Sequence, residues 1–118
     1  MADIFCRIAK GEVPVKFLYE SVEVVAFNDI HPQAPVHVLI IPRRHFATTM
    51  DMAEQAPELY GELFRAATEV ARKTGVDKSG FRLFLNTNAD AGQEIFHVHM
   101  HLMGGEPLGP MRARSRFL

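Results

Sequence analysis

The segment His97-Val98-His99-Met100-His101-Leu102-Met103 alternates imidazoles with apolar side chains. Successive side chains of a β-strand point to opposite faces. The pattern therefore predicts a strand over 96–103, with His97, His99 and His101 on one face and Val98, Met100 and Leu102 on the other. Same-face neighbours on such a strand sit about 6.5 Å apart. The apolar set can bury against a helix while the imidazoles line a cleft. A merely solvated face would carry a mixture of Thr, Lys and Glu, whereas three of the chain's six histidines fall here. Two chemistries fit. Imidazoles at His-x-His spacing can chelate a metal such as zinc. A neutral imidazole can also attack phosphorus while its neighbours hold oxygens and manage protons near pH 7. The strand alone leaves both open. The preceding loop, with Asn86, Asn88, Gly92 and Gln93, tips the balance toward phosphorus. Neutral donors and close backbone approach suit a phosphate oxygen better than a closed metal shell, although Asn and Gly are also ordinary turn formers.

The rest of the chain supplies a scaffold of matching type. Asp3 can cap a short helix over 4–10 that Gly11 ends. Residues 17–20 and 24–28 read as strands joined by the polar turn 21–23, the second half-buried because Val25 and Phe27 alternate with smaller or polar neighbours. Pro32 and Pro35 make 29–35 a loop. The continuous apolar run Val38–Ile41 makes 36–42 a central strand covered on both faces. Leu59, Leu63, Ala67 and Val70 form one face of a main helix over 57–74, stopped by Gly75. A strand over 81–86, a polar loop over 86–93 and the histidine strand follow. Strands in runs with one long helix predict an α+β fold with a mainly antiparallel sheet.

The 118 residues suit one domain spanning 1–118, with 112–118, carrying Arg112, Arg114 and Arg116, as a loose tail. A formal net charge of −1 argues against a general nucleic-acid partner, which asks for a basic face. The single cysteine, Cys6, rules out a disulfide within the chain and points to a reducing compartment. No basic region followed by an apolar run opens the chain, and no apolar stretch nears the roughly 20 residues a membrane span needs. A cytoplasmic protein without membrane partners is expected. There is no phosphate loop, no dinucleotide glycine fingerprint and no evident carboxylate cluster for Mg²⁺. A phosphate monoester or amide is thus favoured over a triphosphate.

The residues from His97 to Met103 resemble the signature of the histidine triad family. The likeness extends to Asp3-Ile4-Phe5, the run Phe27–His37, Ile41-Pro42, Asn86 and Gly92-Gln93-Glu94. Gly104-Gly105 and Pro107–Met111 resemble the bacterial form of its nucleotide-binding branch. The resemblance implies a five-stranded, mainly antiparallel sheet with one short and one long helix, continued across a homodimer. It implies hydrolysis of the P–N bond of purine nucleoside 5′-phosphoramidates, without a cofactor. His99 would attack phosphorus and carry the nucleotide, and His101 would hold a phosphate oxygen. His97 would orient the site and hydrogen-bond the leaving side, and His37 would support the triad from an adjacent strand. Phe5, Ile8, Phe27 and Ile30 match the slot for the base, whose flat faces need apolar walls. Asp29, acceptor-only when ionised, would take the ribose hydroxyls, with Asn28 beside it. Asn86 would contact the ribose-phosphate region, with Gly92, Gln93 and Glu94 near the phosphate and the leaving group. Glu94 stands where animal members of the branch carry serine, and Asn28 where some carry histidine.

Some relatives bind zinc through two cysteines and two histidines. Cys6, His45 and His97 match three of those ligands, and Asp3 stands at the place of the first cysteine. Against a metal, Asp3 serves as a helix cap, Cys6 as a small buried residue and His45 as a surface residue, so no metal is expected. The competing functions are a dinucleoside polyphosphate hydrolase from a sister branch and a nucleotide-binding adaptor with little turnover.

Overall fold

Asp3 caps the first helix as its position suggests, its side chain accepting from the Cys6 N–H at 2.7 Å. The computed structural model describes residues 3–112. After that helix, α1 (Ile4–Ala9), come β1 (Phe17–Glu20), β2 (Val24–Asn28) and β3 (Val36–Pro42). Next are α2 (Thr49–Gln55), α3 (Leu59–Thr74) and α4 (Val76–Ser79), then β4 (Phe81–Leu85), a 3₁₀ turn (Ala89–Ala91) and β5 (Met100–Gly104). The strands form one sheet in the order β1-β2-β3-β5-β4, with every neighbouring pair antiparallel. The expected α+β class and five-stranded sheet hold, with three short helices in place of one. Of the expected tail, only Arg112 lies among the described residues. No described helix is long and apolar enough to cross a membrane.

The sheet divides two apolar clusters. Val24, Ala26, Val38, Ile40, Met100 and Leu102 pack toward the α3 stripe of Leu59, Leu63, Ala67 and Val70. Val25, Phe27, Leu39 and Ile41 pack on the other side with Phe5, Ile8 and Ala9 of α1. The strand β2 is therefore buried on both faces, where its alternation suggested one. The side chains that suggested a half-buried pattern fill one cluster, and their small neighbours fill the other.

Helix α2 is additional to the expected elements, and α3 and β5 start later than expected. In α2 the helix starts at a reciprocal cap, the Thr48 hydroxyl accepting from the Asp51 N–H while Asp51 accepts from the Thr48 N–H. It buries only Met52 fully, too little to write an apolar stripe. Helix α3 begins at Leu59, because Ala56 and Pro57 form the turn ahead of it. Strand β5 begins at Met100, not at Phe96: the Val98 N–H donates to the Phe46 carbonyl at 2.8 Å and so leaves the β3 ladder. Alternation persists regardless. Val98, Met100 and Leu102 are all buried in the α3-side cluster, which turns the histidines to the α1 side. At the far end of β5, Gly105 has φ +95°, and a Cβ there would lie 2.9 Å from the rigid Pro35 ring. That close approach seats the loop before β3, the strand that carries His37.

Candidate active site

On the α1 side the sheet opens into a cavity of about 510 Å³. One wall is apolar, made by Ile4, Phe5, Ile8, Phe27 and Ile30. Asn28 and Asp29 from the end of β2, and Asn86, Gly92 and Glu94 from the loop after β4, line it elsewhere. His37, His99 and His101 reach it from β3 and from β5 with its approach. Val15, His31, Gln33, Leu39, Ile95 and Met103 also line it; Met103 continues the odd-numbered face of the histidine segment.

Two expected site residues do not line the cavity. His97 is 0 % exposed, and its Nε2 lies 2.9 Å from the Pro42 carbonyl. The picture of three imidazoles along one cleft is therefore corrected to two. His97 lies ahead of the first ladder residue of β5, turned toward Phe5 and Cys6 of α1. Gln93 is likewise buried, its amide committed to the backbone: Oε1 accepts from Asn88 N–H, and Nε2 donates to the Ala47 and Ile95 carbonyls. It braces the loop that presents Gly92 and Glu94.

Carbonyl and amide partners fix the imidazole protons. His99 Nδ1 lies 2.8 Å from the His97 carbonyl, which can only accept, so Nδ1 carries the proton and Nε2 keeps its lone pair. The Gln33 N–H donates to His37 Nδ1 at 3.0 Å, so His37 is protonated on Nε2. That Nε2 lies 2.9 Å from His101 Nδ1. His101 therefore accepts at Nδ1 and presents Nε2–H as a donor. Asp29 accepts from the His31 N–H at 2.8 Å, and its other oxygen lies 3.5 Å from His37 Nε2. Rings pack around this chain: Phe5 meets His99 edge-on at 5.1 Å, and Phe84 lies flat on His101 at 4.5 Å. Phe84 carried no mark in the sequence beyond lying in a strand.

Burial disfavours the charged forms of His101 and His37. It pushes His101 down to about 4, helped by the charges of His99 and His37. It also lowers His37, against the pull of Asp29. An unfolded histidine titrates near pH 6.5, so below that the unfolded chain binds protons the native chain refuses. Stability from these groups is complete above about pH 7 and falls as pH drops from about 6.5 toward 4. Thermal midpoints should stay level between about pH 8 and 7 and decline below about 6. A midpoint unchanged down to pH 5 contradicts the neutral assignment.

Behind the cavity a second cluster gathers. Cys6 Sγ lies 3.4 Å from both His45 Nδ1 and His97 Nδ1. Asp3 approaches the same nitrogens at 2.9 and 3.3 Å. The donor atoms of Asp3, Cys6, His45 and His97 all lie within 4.8 Å of one another. With Nε2–H of His97 committed to Pro42, its Nδ1 is an acceptor facing the Cys6 thiol and the Asp3 carboxylate. Partial burial raises Asp3, but the Cys6 N–H and the His97 charge outweigh it and leave its pKa lowered. Two imidazoles, a thiol and a carboxylate at these separations fit a tetrahedral zinc ion. The helix cap and the convergent donor are thus the same residue, since Asp3 does both.

The family model of the HIT domain matches residues 10–108. The chain belongs to the HIT family. Among its HIT relatives, the purine nucleoside phosphoramidase of Escherichia coli (strain K12) is 44% identical over 112 residues, covering 95% of this chain and 94% of the relative. A HIT family hydrolase from Legionella pneumophila Philadelphia 1 superposes with a TM-score of 0.83 at 42% identity, covering 88% and 93% of the two chains. A histidine triad protein from Clostridium difficile superposes with a TM-score of 0.88 at 34% identity, covering 95% and 100%.

Proposed function

We propose that this HIT protein hydrolyses the P–N bond of purine nucleoside 5′-phosphoramidates, releasing the nucleoside monophosphate and an amine. The observation that carries it is the tautomer of His99, whose Nδ1–H is held by the His97 carbonyl so that a lone pair remains on Nε2 at the cavity. The likeness to the purine nucleoside phosphoramidase supports the same activity. In the first step His99 Nε2 bonds to phosphorus, and the amine leaves with the P–N electron pair and takes up a proton. His101 Nε2–H donates to a phosphate oxygen where charge builds. In the second step a water oxygen bonds to phosphorus, the pair returns to Nε2, and the water gives up a proton. Two easier displacements replace one difficult displacement. Phe5, Ile8, Phe27 and Ile30 face the base, and Asp29 with Asn28 and Asn86 faces the ribose and phosphate. His37 fixes the tautomer of His101, and His97 supplies the carbonyl that fixes His99.

A zinc ion held by Asp3, Cys6, His45 and His97 would supply a structural tie between α1 and the approach to β5. The residues of the reaction do not need it. A free, buried Cys6 fits a reducing, cytoplasmic setting. The open edge of β4 offers a second copy a strand to face, in keeping with a homodimer.

The cavity walls also discriminate between substrates. Among the described residues they carry two carboxylates, Asp29 and Glu94, and no lysine or arginine. A polyphosphate leaving group would meet no fixed cation there. Adenosine 5′-phosphoramidate should therefore be turned over at least about 100-fold faster, by kcat/KM, than a diadenosine polyphosphate in a chelator-containing assay. Preference for the polyphosphate overturns this reading in favour of the sister branch.

A further inference from the structure

Phe84 sits directly opposite His101 in the β4–β5 ladder. Its neighbours Leu83 and Leu85 pack against the α3-side cluster, so alternation sends Phe84 to the histidine side. There its ring lies on the imidazole of His101, with centroids 4.5 Å apart and planes 8° from parallel. The other contacts of His101 are edgewise or polar: His99 meets it at 62°, and His37 bonds Nδ1 at 2.9 Å. The hydrogen bond directs Nδ1 toward His37 but, within its angular tolerance, leaves the ring room to tilt. The flat stack removes that freedom. Phe84 is not part of the cavity wall.

We propose that Phe84 is a positioning residue for His101, clamping the imidazole plane so that Nδ1 faces His37 and Nε2–H faces the phosphate site. The clamp also covers one face of His101 against water, in line with the burial that lowers its pKa. The titratable groups facing that imidazole are His99, His37 and Asp29. None of them can substitute for an apolar face. The consequence for turnover rests on the phosphoramidate reading above; the effect on the His101 ring does not.

The test compares Phe84→Leu, Phe84→Ala and Phe84→Tyr in the full chain, by turnover of adenosine 5′-phosphoramidate and by side-chain NMR of the histidines. Leu keeps apolar bulk without a flat face, whereas Tyr keeps the flat face. Phe84→Leu and Phe84→Ala should lower kcat roughly three- to tenfold, with AMP affinity within about twofold of wild type. Phe84→Tyr should restore kcat. In Phe84→Ala the His101 midpoint should rise from about 4 toward ordinary histidine values. Unchanged kcat and His101 signals in both Leu and Ala variants overturn the proposal. So does a loss of activity that comes only with a lowered thermal midpoint or altered solution mass while the His101 signals stay put. If the wild-type protein itself shows no turnover, the phosphoramidate reading fails, and the His101 signals alone decide the role of Phe84.

Discussion

His99→Ala should lower kcat on adenosine 5′-phosphoramidate by about 10⁴-fold or more, while AMP still binds within about threefold of wild type. The two halves follow from where His99 sits. Among His37, His99 and His101, only His99 keeps a lone pair at Nε2, since His37 and His101 both present N–H there. Removing it removes the bond-forming atom. The base and ribose contacts lie on other elements: Phe5 and Ile8 on α1, Phe27 and Asn28 on β2, and Asp29 just after it. Steady-state kinetics and calorimetric titration with AMP measure the two halves separately. Residual turnover within tenfold of wild type would remove His99 from the role of nucleophile. Equal loss of turnover and AMP affinity would mean that the substitution collapses the cavity.

Leu63→Ala should destabilise the fold by about 2–5 kcal/mol and leave turnover per folded molecule unchanged. Leu63 is completely buried at the centre of the α3 stripe, against the sheet face opposite the histidines. The loss combines transfer of the side chain to water with the cavity left behind, because the long helix cannot settle onto the sheet at one residue alone. Denaturant unfolding gives the free energy, and assays well below the midpoint give the activity. A cost under about 1 kcal/mol would show that the helix collapses onto the sheet after all. A large change in kcat would show that the two faces of the sheet are mechanically coupled.

The sequence made some parts of this molecule readable because their information is local. The apolar run Val38–Ile41 marks the body of β3, and Phe17–Glu20 and Val24–Asn28 emerge with the bounds read from alternation and turns. The capping residue Asp3 and the stop at Gly75 are likewise written in single residues. What was not legible depends on partners distant in the chain. The start of β5 is set by Phe46, 52 positions before Val98, so alternation alone extended the strand too far. The burial of His97 comes from α1 and Pro42, and no pattern within the histidine segment distinguishes it from His99 and His101. Gln93 looked like a phosphate donor because its polarity is local, while its partners at Ala47 and Ile95 are visible only in the fold. The helix α2 did carry a readable sign, Thr48 three residues before Asp51, but no apolar period reinforced it. Phe84 needs the strand register before its place over His101 can be known.

The central claim is that the nucleotide passes through a covalent bond to His99. The direct measurement is rapid quenching of the protein with adenosine 5′-phosphoramidate at a base pH that preserves phosphorus–nitrogen bonds to histidine, followed by peptide mass spectrometry. The account predicts one adenylyl group on the peptide spanning His97–His101, localised to His99 by fragmentation and absent from His99→Ala. An adenylyl group on His101 or His37, or full turnover with no adduct at any quench time, would contradict it.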